Sequence, residues 1–182
     1  IAYVTDALGG IFGTIDVEMP GTLNQIATYS GDYYCGDFGV EDENMFYVID
    51  NATSQLKVAD ITSGVFTTVG SVSGASGHTW TGMAMDKSTG VMYAASTNGS
   101  ASTIYTIDLA TGATTTIGSP AIAGIIDIAI DGNGVMYATD IVSDEAFSID
   151  KTTATATSIG ALGINLNYAQ GLGWDPATDV VY

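Results

Sequence analysis

The sequence predicts an all-β fold, β-propeller-like, made of four repeats of four antiparallel strands. Three observations carry this expectation. A tyrosine recurs at nearly constant spacing, each interval holds four short strand-like stretches, and no stretch shows an apolar period of 3.6 residues.

The rhythm is the primary signal. Tyr3, Tyr47, Tyr93, Tyr137 and Tyr182 lie 44, 46, 44 and 45 residues apart, closing the phrases IAY, MFY, VMY, VMY and VVY. A second landmark keeps step with them in FGTIDVEMPG, LKVADITSG, IYTIDLATG and FSIDKTTA, whose aspartates are Asp16, Asp60, Asp108 and Asp150. A third follows in three repeats as FTTVGS, TTTIGS and TSIGA, carrying Gly70, Gly118 and Gly160, where the first repeat has NQIAT. A fourth precedes the tyrosines: GMAMDKSTGVMY, DIAIDGNGVMY and GLGWDPATDVVY read as strand, turn, strand.

Abundant Val, Ile, Thr and Tyr, with alternation across Ile104–Ile107, favour strand over helix. Four strands in a repeat of this length match one propeller blade. The landmarks resemble the propeller-type repeats of secreted bacterial cell-surface proteins, in which phrases such as LYTIDLATGATTTIG and NYAQGLGWDPATDVVY recur. The resemblance covers essentially the whole chain. It implies export and a cell-surface setting, and it brings no catalytic motif.

With strands lettered a to d from the axis outwards, the chain opens in a strand b and closes in another. The expected blades span about 1–29 plus 170–182, 30–73, 74–119 and 120–161. The spare strand a near 170–175 allows three arrangements. It could close a ring within the chain, join the next molecule in a head-to-tail filament, or belong to a larger propeller.

Composition narrows the partners. Twenty acidic residues face three basic ones, a formal net charge of -17 with a pI near 4.1. Nucleic acid is excluded as an expected partner, because phosphate binding needs clustered cations. Anionic membrane surfaces are disfavoured for the same reason, and apolar runs such as Val91–Ala95 are too short for membrane insertion. The start at Ile1 without a leader fits a mature or trimmed product. Cys35 is alone, so no disulfide can form within these residues.

Most aspartates head turn motifs, where the carboxylate accepts backbone N–H bonds. Asp127, Asp131 and Asn133 are the candidate calcium ligands; no other cofactor is expected. The run Glu41, Asp42, Glu43 and Asn44 reads more simply as a solvated turn. His78, the only histidine, is a candidate general base, although no nucleophile motif surrounds it. Cys35 is expected to be buried as a small hydrophobe. Tyr33, Tyr34, Trp80, Asn167, Tyr168 and Gln170 sit in connections into strand a. They would either line a ligand-binding rim or plug the seams between blades. Asn51 and Asn98 head N-x-[ST] sequons and are glycosylation candidates.

These features point to a non-enzymatic extracellular or cell-surface module, structural, adhesive or self-assembling. The alternative is a propeller that binds a surface glycan or a protein or peptide. A hydrolase or lyase using Asp127 or His78 ranks third.

Overall fold

A computed structural model describes residues 1–167 and 171–182. Blade one holds β1 (Ala2–Asp6), β2 (Ile11–Ile15) and β3 (Asn24–Thr28). Blade two holds β4 (Tyr33–Phe38), β5 (Met45–Asp50), β6 (Gln55–Asp60) and β7 (Phe66–Ser71). Blade three holds β8 (Thr79–Asp86), β9 (Val91–Thr97), β10 (Ser102–Ile107) and β11 (Thr114–Gly118). Blade four holds β12 (Ile125–Ile130), β13 (Met136–Asp140), β14 (Glu145–Ile149) and β15 (Ala156–Ala161). A terminal hairpin of β16 (Trp174–Asp175) and β17 (Val180–Val181) follows. The architecture is a four-bladed β-propeller in which each sheet is an antiparallel meander in chain order. No helix forms among the described residues.

Tyr47, Tyr93 and Tyr137 lie on the second strands of their sheets, and Tyr3 lies on β1, the first strand of three-stranded blade one. The spare strand β16 turns back to pair with β17, Trp174 opposite Val181, instead of pairing with β1. Among the described residues the sheets pack in series, β1 on β4, β4 on β8 and β8 on β12, with no comparable packing of β16 or β17 on β1.

Inner strands are covered on both faces, so β8 is buried over almost its full length, whereas the outermost β7, β11 and β15 keep one face in solvent. The core is divided by seam. Phe12, Tyr33, Phe46 and Val48 fill the first; Leu56, Trp80, Met85 and Tyr105 the second; Ile104, Ile125, Ile128 and Met136 the third. Each such side chain contributes about 1.5–3 kcal/mol on burial.

The seams are close. A Cβ on Gly82 would lie 2.8 Å from the Ile128 nitrogen, so blades three and four approach backbone to backbone there. Every blade also carries a bulge at one phase between its two outer strands: Phe12/Gly13, Leu56/Lys57, Ile104/Tyr105 and Ala146/Phe147. Bulges increase local twist, and here they do so in step with the repeat.

Candidate functional site

Aligning the blades on their tyrosines puts Asp6, Asp50, Ser96 and Asp140 in one column, at or near the end of the strand that carries each tyrosine. The three aspartates are clamps. Asp6 accepts the Leu8 and Gly9 N–H groups, and Asp50 accepts that of Ala52 and, from the incoming connection, that of Asp32. Asp140 does the same with Val142 and Gly124. In this way Asp50 and Asp140 each fasten a turn and the entry to their own blade, whereas Asp6 fastens its turn.

Blade three departs from the rule. Ser96 stands in the aspartate's place and the incoming residue is His78, whose Nδ1 lies 3.1 Å from Ser96 Oγ. Ser96 Oγ lies 3.2 Å from the Tyr105 hydroxyl, which accepts the Ala75 N–H at 2.9 Å. Ser96 and Tyr105 are buried, whereas His78 is half-buried. A polar relay therefore runs from the core of blade three to an imidazole near the surface. The column of three aspartates and one serine was the signal that could have exposed this site from sequence.

Asp37 and Asp127 lie on the innermost strands β4 and β12. Asp37 accepts N–H groups from Phe38 and, across the seam, from Met85, both at 2.7 Å. Asp127 accepts those of Ile128 and Leu172, at 2.8 and 2.7 Å. Asp37 thus ties blade two to blade three, and Asp127 ties blade four to the segment that leads into the terminal hairpin. Burial pushes Asp37 up to about 6 against the pull of these donors and of Lys87. Burial likewise drives Asp127 well above the usual carboxylate range, and the Asp37 charge adds to the rise. Cys35, also buried, has its thiol pushed up by desolvation and then by Asp127, which removes it from nucleophilic use.

The three lysines are all engaged. Lys57 pairs with Asp50 at 2.8 Å and lies 3.3 Å from the Tyr33 hydroxyl, Lys151 pairs with Asp86, and Lys87 sits 5.8 Å from the centre of the Trp174 ring. Burial alone would raise Asp50, but Lys57, Thr53 and the Asp32 N–H outweigh it and hold the carboxyl low.

Several sequence candidates fall elsewhere than expected. Tyr33 and Trp80 are 2% and 5% exposed, stacked on Tyr29 and packed on Tyr105, because their rings fill the seams. The expectation of a stacking rim is corrected at both positions. Tyr34 is 46% exposed, and Asn167 is exposed; Tyr168 and Gln170 lie outside the described residues. Asn51 bonds across a seam: its Oδ1 accepts the Trp80 N–H and its Nδ2 donates to the Trp80 and Asp32 carbonyls, so a glycan on Nδ2 would remove one of the two bonds that nitrogen donates. Asn98 is exposed at a turn, with Oδ1 accepting the Ser100 and Ala101 N–H groups.

Asp131 and Asn133 do not join Asp127. Asp131 holds its own turn through the Asn133 and Val135 N–H groups, at the far end of β12 from Asp127. Four residues of extended chain separate the two carboxylates by about 13 Å. Among the described residues no three acidic, His or Cys side chains converge on a point that could hold a metal. Asp42 accepts from Asn44 in a solvated turn.

A family model described as a repeat of unknown function, DUF6923, matches residues 62–175, more than half of the chain. The chain belongs to the DUF6923 family. No curated protein matches it. Solved structures similar to this DUF6923 chain include one titled as a nidogen/laminin complex, at 13% identity and a TM-score of 0.69 over 95% of this chain and 66% of that one. A virginiamycin B lyase from Staphylococcus aureus matches at 13% identity and 0.62, over 98% of this chain and 57% of that one. The calcium-binding protein regucalcin from Agrobacterium tumefaciens matches at 14% and 0.64, over 95% and 59%. The chain thus spans about three fifths of the length of these structures, and at such identities the likeness is one of fold.

Proposed function

We propose that this chain is a non-enzymatic structural module of an extracellular or cell-surface protein, acting through adhesion or self-assembly. One observation carries the reading. Asp37 and Asp127, on the innermost strands β4 and β12, have each oxygen occupied by a backbone N–H; Asp37 joins blade two to blade three and Asp127 joins blade four to the segment before the terminal hairpin, so both serve cohesion. Further support comes from the resemblance to secreted surface repeats and from similarity in fold to the structure titled as a nidogen/laminin complex.

A second reading rests on blade three. An imidazole backed by Ser96 and Tyr105 is suited to receiving a proton from a bound ligand, as in a lyase or hydrolase. Labelled protein applied to bacterial cells and to a glycan array tests both. Saturable binding retained in His78→Ala supports the structural reading. Saturable turnover of a substrate, abolished by His78→Ala, overturns it.

A further inference from the structure

Of the seven asparagines, Asn98 and Asn133 alone are followed by glycine, which leaves the next backbone nitrogen unshielded by a side chain. Both are exposed, Asn98 in the turn between β9 and β10 and Asn133 in the turn between β12 and β13. Their surroundings differ. The Asn98 N–H donates to the Ala101 carbonyl at 3.2 Å, and its Oδ1 accepts the Ser100 and Ala101 N–H groups, both at 2.9 Å. The side-chain carbonyl is thereby folded back over its own turn. The next nitrogen, that of Gly99, donates to Thr97 Oγ1 at 3.0 Å. Thr97 is buried, and its hydroxyl donates to the Ala123 carbonyl at 2.7 Å, at the entry to blade four, so this acceptor is fixed in place. A Cβ on Gly99 would meet nothing within 4 Å, so no neighbour crowds the nitrogen.

These contacts suit closure of a cyclic imide. The Gly99 nitrogen is the nucleophile and the side-chain carbonyl carbon of Asn98 the electrophile. As the nitrogen attacks, negative charge gathers on Oδ1, where two N–H donors already stand. Nδ2, bonded to no described residue, faces water. Asn133 has no such support: among the described residues no N–H is donated to its Oδ1, and its turn is held instead by Asp131, which accepts the Asn133 and Val135 N–H groups.

We infer that Asn98 is a self-modifying site, converted without an enzyme to aspartate and isoaspartate through an imide closed by the Gly99 nitrogen. The Gly99 N–H proton passes to solvent base, the bond from that nitrogen to the Asn98 side-chain carbon forms, and the bond to Nδ2 breaks. Nδ2 takes a proton from water and leaves as ammonia. Water then opens the ring at either carbonyl, giving aspartate or isoaspartate, and no electrons are exchanged. Both products put a carboxylate where a neutral amide stood. Isoaspartate also lengthens the main chain by a methylene between Thr97 and Gly99, beside the hydroxyl that ties blade three to the entry of blade four.

Incubation of the folded chain at mildly alkaline pH tests it, with isoelectric focusing to count acidic species and isoaspartyl methyltransferase labelling to find isoaspartate. Cleavage after Tyr93, Tyr105 and Tyr137 puts Asn98 and Asn133 in different peptides, so each site is followed separately. Asn98 should convert at least about tenfold faster than Asn133 in the folded chain, and the two rates should draw together in urea, where both are plain Asn-Gly pairs. Asn98→Ser should abolish the fast acidic species and Asn133→Ser should retain it. Equal rates at the two sites in the folded chain, a ratio unchanged by urea, or a fast species that survives Asn98→Ser overturns the inference.

Discussion

The Lys151 ammonium of blade four reaches across the third seam to the Asp86 carboxylate of blade three, which is fully buried and also accepts the Ser88 N–H and hydroxyl. Burial alone would raise Asp86, but Lys151, Ser88 and Thr89 outweigh it and hold the carboxyl at about 2. Removing one partner of such a pair leaves an uncompensated buried charge. Lys151→Met is expected to cost about 3 kcal/mol in urea unfolding at neutral pH, with Asp86→Asn in the same background restoring part of it. Equal stability of Lys151→Met and wild type would show that solvent already satisfies Asp86.

Asp86 and Asp37 give opposite pH dependences. An unfolded aspartate titrates near ~3.9. Asp86, lowered on folding, contributes stability that is present above that value and is lost as pH falls toward 2. Asp37, raised on folding, contributes stability that is full below ~3.9 and is lost as pH rises through about 6. Between pH 4 and pH 7.5 the melting temperature of wild type should fall relative to that of Asp37→Asn, since the asparagine lacks the falling limb. Parallel curves would refute the assignment.

At Gly82 the constraint is steric. An alanine Cβ there would meet the Ile128 nitrogen and the backbone of Asp127, neither of which can swing aside as a side chain would. Gly82→Ala should destabilise by about 1–3 kcal/mol. Gly173→Ala, where the added Cβ meets nothing within 4 Å, serves as the control and should lie within about 0.5 kcal/mol of wild type.

The relay of blade three fixes its entry loop through the Ala75 N–H to Tyr105 hydroxyl bond. Tyr105→Phe keeps the ring's packing on Trp80 but removes the acceptor, so the Ala75 amide should exchange its hydrogen faster. The accompanying loss of stability should be about 1–2 kcal/mol. Unchanged exchange at Ala75 would remove the relay from the account of this loop.

The tyrosine rhythm was enough to read the blades, because a residue at one phase of a meander must fall on the same strand of every sheet. The turn role of the aspartates was legible for a related reason: at Asp60, Asp108 and Asp150 the side chain bonds N–H groups two or three residues ahead, so the whole motif is local. The site was less legible. Whether Tyr33 and Trp80 face a rim or a seam depends on the neighbouring blade, and their spacing along the chain is the same in both cases. The clamps of Asp37 on Met85 and Asp127 on Leu172 join residues 48 and 45 positions apart, so only the stacked sheets bring them together.

The engagement of all three lysines also bears on how the folded chain meets a protease. Trypsin cleaves after lysine and arginine, and this sequence offers it Lys57, Lys87 and Lys151 alone. Lys57 lies inside a paired strand, so cutting there requires the sheet to open first, and Lys151, in the turn between β14 and β15, must first leave Asp86 across the seam. Digestion of the native chain should therefore begin at Lys87, in the turn between β8 and β9; its rate at Lys151 reports release from Asp86 and its rate at Lys57 how often blade two unfolds.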